Sequence, residues 1–136
     1  MGVRVMSINV LVVDDSETVR AVIEKSMRMA GVPLKELYTA ENGQQALELL
    51  QNNWIDLVLT DINMPVMSGV ELIERMSEDE ALKGIPVIVV STEGSATRIE
   101  ALKAKGVRAY LRKPFTPEKF RVVFDELLGD GDAQQA

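Results

Sequence analysis

Five short apolar runs, each broken off by a polar or turn residue, constrain this chain more than any other feature of its sequence. They are Ile8–Val13, a weaker Glu36–Ala40, Asp56–Thr60, Pro86–Val90 and Val107–Leu111. Runs of β-branched residues and leucine without polar alternation suit strands covered on both faces. Pro86 fits such a strand only as its first residue, because it has no N–H to give the ladder.

The segments between the runs have helical spacing. Ser16 or Asp15 can cap a first helix whose inner face would carry Val19, Val22, Ile23, Met27 and Ala30, with Gly31 and Pro33 ending it. Asn42 can cap a second, with Ala46, Leu47 and Leu50 inward. A third is expected over roughly Gly69–Met76, burying Val70, Ile73 and Met76, and a fourth over about Ser95–Lys105, with Ile99 and Leu102 inward and Gly106 as its stop. In the last, Thr116 caps, Pro117 takes the first helical position, and Phe115 and Phe120 are spaced for a hydrophobic staple ahead of Val123, Phe124 and Leu127.

Strand and helix therefore alternate, which makes the sheet parallel and its crossovers right-handed. The expected class is α/β, a (βα)5 flavodoxin-like arrangement with strand order 2-1-3-4-5 and helices on both faces. At 136 residues the chain suffices for one domain. We place it at 8–128, after a lead-in of 1–7 and before a polar tail of 129–136 expected to be disordered.

Composition removes several chemistries. Neither cysteine nor histidine is present, so disulfides, thiolates, imidazole bases and phosphohistidine on this chain are excluded, and any metal must be a hard, oxygen-ligated cation. The missing cysteine fits a reducing compartment, and a cytoplasmic location is expected. A net charge of -6 argues against a general nucleic-acid or anionic-membrane surface. The amino-terminal MGVRVMSINVLVVDDSE reaches two aspartates before any long apolar run and is expected to be neither a signal peptide nor a membrane span.

Parallel strands bring their carboxyl ends to one edge, where open α/β sheets bind ligands. On that rim the sequence places Asp14 and Asp15, Asp61, Ser91 and Lys113. Crowded carboxylates repel, and a divalent cation relieves the repulsion; oxygen donors favour Mg²⁺, with Mn²⁺ as a substitute. Such a set suits phosphoryl transfer. Asp61 is the candidate nucleophile, ionised without a base, while the Asp14/Asp15 pair clamps the cation. Lys113 would meet one phosphoryl oxygen as a point charge and Ser91 would donate to another. Taken singly, an Asp-Asp after a strand is ordinarily a cap, and a lysine before proline is ordinarily surface. Their shared rim carries the argument. Neither GxGxxG nor GxxxxGK[ST] occurs, so a nucleotide site lacks its phosphate loop. The single tryptophan, Trp54, precedes the third strand at the end away from the rim, which leaves a flavin site without its aromatics.

The motifs VVDDSE, LVLTDINMPVMSG, PVIVVSTEG and VRAYLRKPF, taken together and in this order, resemble the receiver domains of two-component response regulators, specifically the free-standing chemotaxis (CheY-like) type. The resemblance implies that Asp61 accepts a phosphoryl group from a histidine kinase. Asp15 would be a direct Mg²⁺ ligand, Asp14 a water-mediated one, and the backbone carbonyl of Asn63 a third donor. Lys113 would contact the phosphoryl group, and the Lys113–Pro114 bond would be cis. Ser91 would be the switch hydroxyl and Tyr110 the aromatic that moves behind it. The altered surface, helix four, strand five and helix five, would then dock a target such as a flagellar motor switch. Asn63 and Glu93 would tune rapid self-dephosphorylation, and an auxiliary phosphatase is a further expected partner. Such a protein catalyses its own phosphotransfer without being a turnover enzyme. The alternatives are a single-domain phosphorelay intermediate and an Asp-nucleophile, Mg²⁺-dependent small-molecule phosphatase. The latter usually has a second aspartate where Asn63 stands.

Overall fold

The structure, a computed structural model, describes residues 7–92 and 96–129. Its elements run β1 (Ile8–Val13), α1 (Glu17–Met29), β2 (Leu34–Ala40), α2 (Gly43–Asn52), β3 (Leu57–Thr60), α3 (Gly69–Ser77), β4 (Val87–Ser91), α4 (Ala96–Ala104), β5 (Val107–Arg112) and α5 (Pro117–Phe124), with a π-helical turn over Asp125–Gly129. The five strands form one sheet, parallel as the alternation of runs implies, in the expected order β2-β1-β3-β4-β5.

Each inner strand feeds two cores because successive side chains point to opposite faces. Leu11, Val13, Val58 and Val89 pack with Ala46, Leu47 and Leu50 of α2, Leu72, Ile73 and Met76 of α3 and Leu102 of α4. On the other face Val10, Val12, Leu59, Ile88 and Val90 pack with Ile23 and Met27 of α1 and with Phe120 and Phe124 of α5. Phe120 is the anchor there. It is fully buried, and its ring lies 5.7 Å from Phe115 and 5.1 Å from Phe124.

Helix starts follow the caps. Ser16, Asn42, Ser68 and Thr116 each accept, through a side-chain oxygen, the N–H three residues on; each such bond contributes about 1 kcal/mol. Gly31 and Gly106 take positive φ after α1 and α4, which glycine adopts without steric cost.

Several boundaries and faces differ from the sequence reading. β2 begins at Leu34, because Ile8 pairs with Leu34 before a register shift brings Asn9 opposite Glu36. β3 begins at Leu57, since the Asp56 carboxylate turns back to accept the Asn9 N–H at 2.8 Å. On α1, Val22 is outward and half exposed, whereas Ser26 is buried. Leu72 is fully buried in α3 and Val70 only partly so. Beyond Phe124 the α-helix gives way to the π turn before Leu127. The lead-in 1–6, the tail 130–136 and residues 93–95 lie outside the described residues, and with them Glu93.

Candidate functional site

Two strands deliver the acidic residues. Asp14 follows β1 and Asp61 follows β3, and main-chain bonds hold both in line with the sheet: Asp14 N–H to Ala40 O at 3.0 Å, Asp61 N–H to Val13 O at 3.0 Å. Carboxylate oxygens of Asp14, Asp15 and Asp61 all lie within 4.8 Å of one another. Lys113, arriving from β5, puts Nζ 2.8 Å from Asp14 Oδ2 and 3.1 Å from Asp61 Oδ2. The Lys113–Pro114 bond is cis.

The three carboxylates sit differently. Asp14 is almost wholly buried, and both its oxygens are engaged: Oδ1 accepts the Ser16 N–H at 2.9 Å and Oδ2 faces Lys113. Asp61 is partly open; Oδ1 accepts the Ile62 N–H at 2.6 Å. Asp15 is the exposed member. Burial pushes the Asp14 carboxyl above its ordinary value, with the Asp61 charge adding to it, although Lys113 and Ser16 oppose the shift. Burial would lower the Lys113 ammonium, but hydrogen bonds and charge from Asp14 and Asp61 more than reverse this and hold it above its ordinary value.

The donor set fits a hard divalent cation. Three oxygens converge, and burial works against the charge on one of them. Asp15 is open to a ligand, whereas both oxygens of Asp14 are already engaged.

Ser91 is fully buried at the end of β4. Its carbonyl oxygen accepts the Lys113 N–H at 2.9 Å, and the Tyr110 hydroxyl lies 3.4 Å from the same oxygen. Tyr110 is half buried against the core, so Ser91, Tyr110 and Lys113 form one connected unit. Asn63 is exposed in the loop after Asp61.

Three supporting residues escaped the sequence reading. The Arg20 guanidinium donates to the Asp14 carbonyl at 2.6 Å, tying α1 to the acidic loop. The Thr60 hydroxyl, fully buried, donates to the Asp61 carbonyl at 2.8 Å. Gly69 lies so close that a Cβ there would collide with the Asp61 carbonyl. A threonine directly before Asp61 and a glycine directly after the Ser68 cap were the available signals.

This arrangement has close counterparts. The pattern defining the response regulator receiver domain matches residues 10–125. The chain belongs to that family. Among curated proteins, this receiver domain is 42% identical over 124 residues to chemotaxis protein CheY1 of Helicobacter pylori, covering 90% of this chain and 98% of that one. To a CheY homolog of Campylobacter jejuni it is 39% identical over 128 residues, covering 93% and 96%. Of solved structures, the chemotaxis response regulator CheY4 of Vibrio cholerae superposes with a TM-score of 0.79 at 32% identity, covering 90% of this chain and all of that one. The receiver domain is thus of the CheY-like chemotaxis type, and no helix among the described residues is long and apolar enough to cross a membrane.

Proposed function

We propose that this receiver domain is a cytoplasmic phosphorylation switch that takes a phosphoryl group from a histidine kinase onto Asp61. The observation that carries the reading is the meeting of Asp61 with Lys113 and the Asp14/Asp15 pair. In the transfer a carboxylate oxygen of Asp61 attacks phosphorus in line, the P–N bond to the kinase imidazole breaks, and the leaving nitrogen takes a proton. The Lys113 ammonium neutralises charge on a phosphoryl oxygen. A Mg²⁺ ion held by Asp15, Asp61 and the Asn63 carbonyl, with Asp14 acting through water, would supply further neutralisation of those oxygens. Hydrolysis reverses the modification: water attacks phosphorus, the acyl phosphate P–O bond breaks, and Asp61 is released with inorganic phosphate. Asn63 and Glu93 would tune the rate of that hydrolysis, as the resemblance implies.

Readout runs through Ser91 and Tyr110. A phosphoryl group on Asp61 draws the Ser91 hydroxyl toward it, and Tyr110, already beside the Ser91 carbonyl, fills the space left. The surface altered is α4–β5–α5. Within a chain of net charge -6 this face carries exposed Arg98, Lys103, Arg108, Arg112 and Lys119, which favours an acidic target segment such as part of a flagellar switch. An auxiliary phosphatase and a role as a phosphorelay intermediate are compatible with the same chemistry. The phosphatase reading is weaker, because Asn63 stands where its acid would be.

Incubation with acetyl phosphate and Mg²⁺, followed by mass spectrometry, tests the reading. A gain of one phosphoryl group that D61A lacks is expected. Turnover of small phosphate esters without a stable change in the chain would replace the switch with a phosphatase.

A further inference from the structure

The edge of the sheet away from Asp61 holds a cavity of about 120 Å³. It lies at the amino ends of the strands, where Ile8 opens β1, Leu57 opens β3 and Pro86 leads into β4. Phe124, at the end of α5, and Leu127, in the π-helical turn, complete an apolar lining. None of these five residues is exposed, so the apolar surface is recessed and suits a ligand that enters. Sites for cofactors and drug-sized molecules usually take roughly 300 Å³ or more, which this hollow does not offer. Apolar cavities of roughly 150 Å³ take up benzene, so there is room here for one branched or aromatic side chain.

Two charged residues share the lining, Asp56 and Arg108, and they do not pair with each other. Asp56 is turned to its own chain: Oδ2 accepts the Asn9 N–H at 2.8 Å and Oδ1 accepts the Trp54 Nε1–H at 2.9 Å. Each oxygen keeps a further lone pair, because an ionised carboxylate can accept about four hydrogen bonds. Arg108 is exposed, and its guanidinium meets no acid among the described residues. A lone anion entering the cavity would be opposed by Asp56, and a lone cation by Arg108. A molecule carrying both charges on an apolar body answers every part of the lining.

We infer that this cavity binds a free apolar α-amino acid the size of leucine or phenylalanine. Its side chain fills the hollow, its carboxylate meets the Arg108 fork, and its ammonium donates to Asp56. The site lies at the far edge of the sheet from the acidic rim and does not depend on phosphorylation of Asp61.

A ¹H–¹⁵N NMR titration of the wild-type chain with L-leucine and L-phenylalanine tests the assignment. Trp54 is the only tryptophan, and its indole N–H, bonded to Asp56, is a single reporter beside the cavity. That resonance and the amides of Leu57, Arg108 and Leu127 are expected to shift saturably, with dissociation constants on the order of 1 mM. L-Serine, 4-methylpentanoate (leucine without its ammonium) and 3-methylbutylamine (leucine without its carboxylate) are expected to bind roughly tenfold more weakly or worse. R108Q should weaken leucine by roughly tenfold while its amide spectrum away from the cavity stays that of wild type. L127F, which fills the hollow, should abolish the shifts. Absence of shifts at about 50 mM of either amino acid, well above the expected constant, would overturn the proposal, as would unchanged affinity in R108Q. Equal binding of 4-methylpentanoate or L-serine would overturn it too. N-acetyl-leucinamide binding as well as leucine would make the hollow a seat for a side chain of a partner protein, and would overturn the free amino acid.

Discussion

Lys113 and Asp14 are 99 residues apart in sequence, yet Nζ and Oδ2 meet at 2.8 Å in a site where Asp14 is 1% exposed. The same ammonium reaches Asp61, so one cation answers two carboxylates. The site is electrostatically unbalanced by design of its topology: the strand ends that make it accessible to a phosphoryl group also crowd its charges.

Removing the cation should therefore destabilise the fold. K113M leaves a buried carboxylate without its partner, a loss on the order of 3 kcal/mol in urea unfolding at pH 7. The Lys113 pKa is raised, so its contribution is fully present below 10.5 and is lost as pH rises through the folded value. The gap between wild type and K113M should consequently narrow in strongly alkaline buffer.

Neutralising Asp14 should act in the opposite sense. A carboxyl whose pKa is higher folded than unfolded stabilises the fold below its unfolded value, 3.8, and that contribution is lost as pH rises through the folded value. D14N should thus melt higher than wild type at pH 7 in chelator, with the difference vanishing near pH 3. A D14N protein no more stable than wild type at pH 7 would refute the buried-charge account.

Mg²⁺ should reverse that ranking. At 100 times its dissociation constant a ligand specific for the folded state adds about 2.7 kcal/mol. The wild type should show that gain in thermal melts, D15N and D61N little of it, and D14N a reduced part.

G69A should damage the site from behind. Its Cβ would strike the Asp61 carbonyl, and relieving the overlap shifts the loop at a cost of about 1–3 kcal/mol. Labelling from acetyl phosphate should fall at least tenfold.

Tryptophan emission should be blind to the cation. Trp54 is exposed at the opposite end of β3 and donates Nε1–H to Asp56 Oδ1 at 2.9 Å. Adding Mg²⁺ should leave its spectrum unchanged, whereas D56N should shift it.

Much of this was legible in advance, for a local reason. The runs INVLVV and PVIVV are buried on both faces, so their hydrophobicity survives as an unbroken string that any window detects. Caps at Asn42 and Thr116 and stops at Gly31 and Gly106 are likewise decided within a few residues. Val22 and Val70 were placed too far inward because which side of a short helix faces the sheet depends on its approach angle, which apolar spacing leaves loose. Arg20 and Gly69 act on main-chain carbonyls, and no sequence pattern marks the acceptor of such a contact.

The sequence by itself determined the order of strands and helices along the chain, the polar residues that end the strands, and through them the family. Hydrophobic period and turn chemistry are properties of neighbouring residues, so they can be read without folding the chain. Only the tertiary structure decided that Asp14 uses both oxygens while Asp15 stays open, and that Tyr110 rests beside the Ser91 carbonyl. Those outcomes depend on distances between segments that meet only once the sheet has closed, and burial and charge take their values from that meeting.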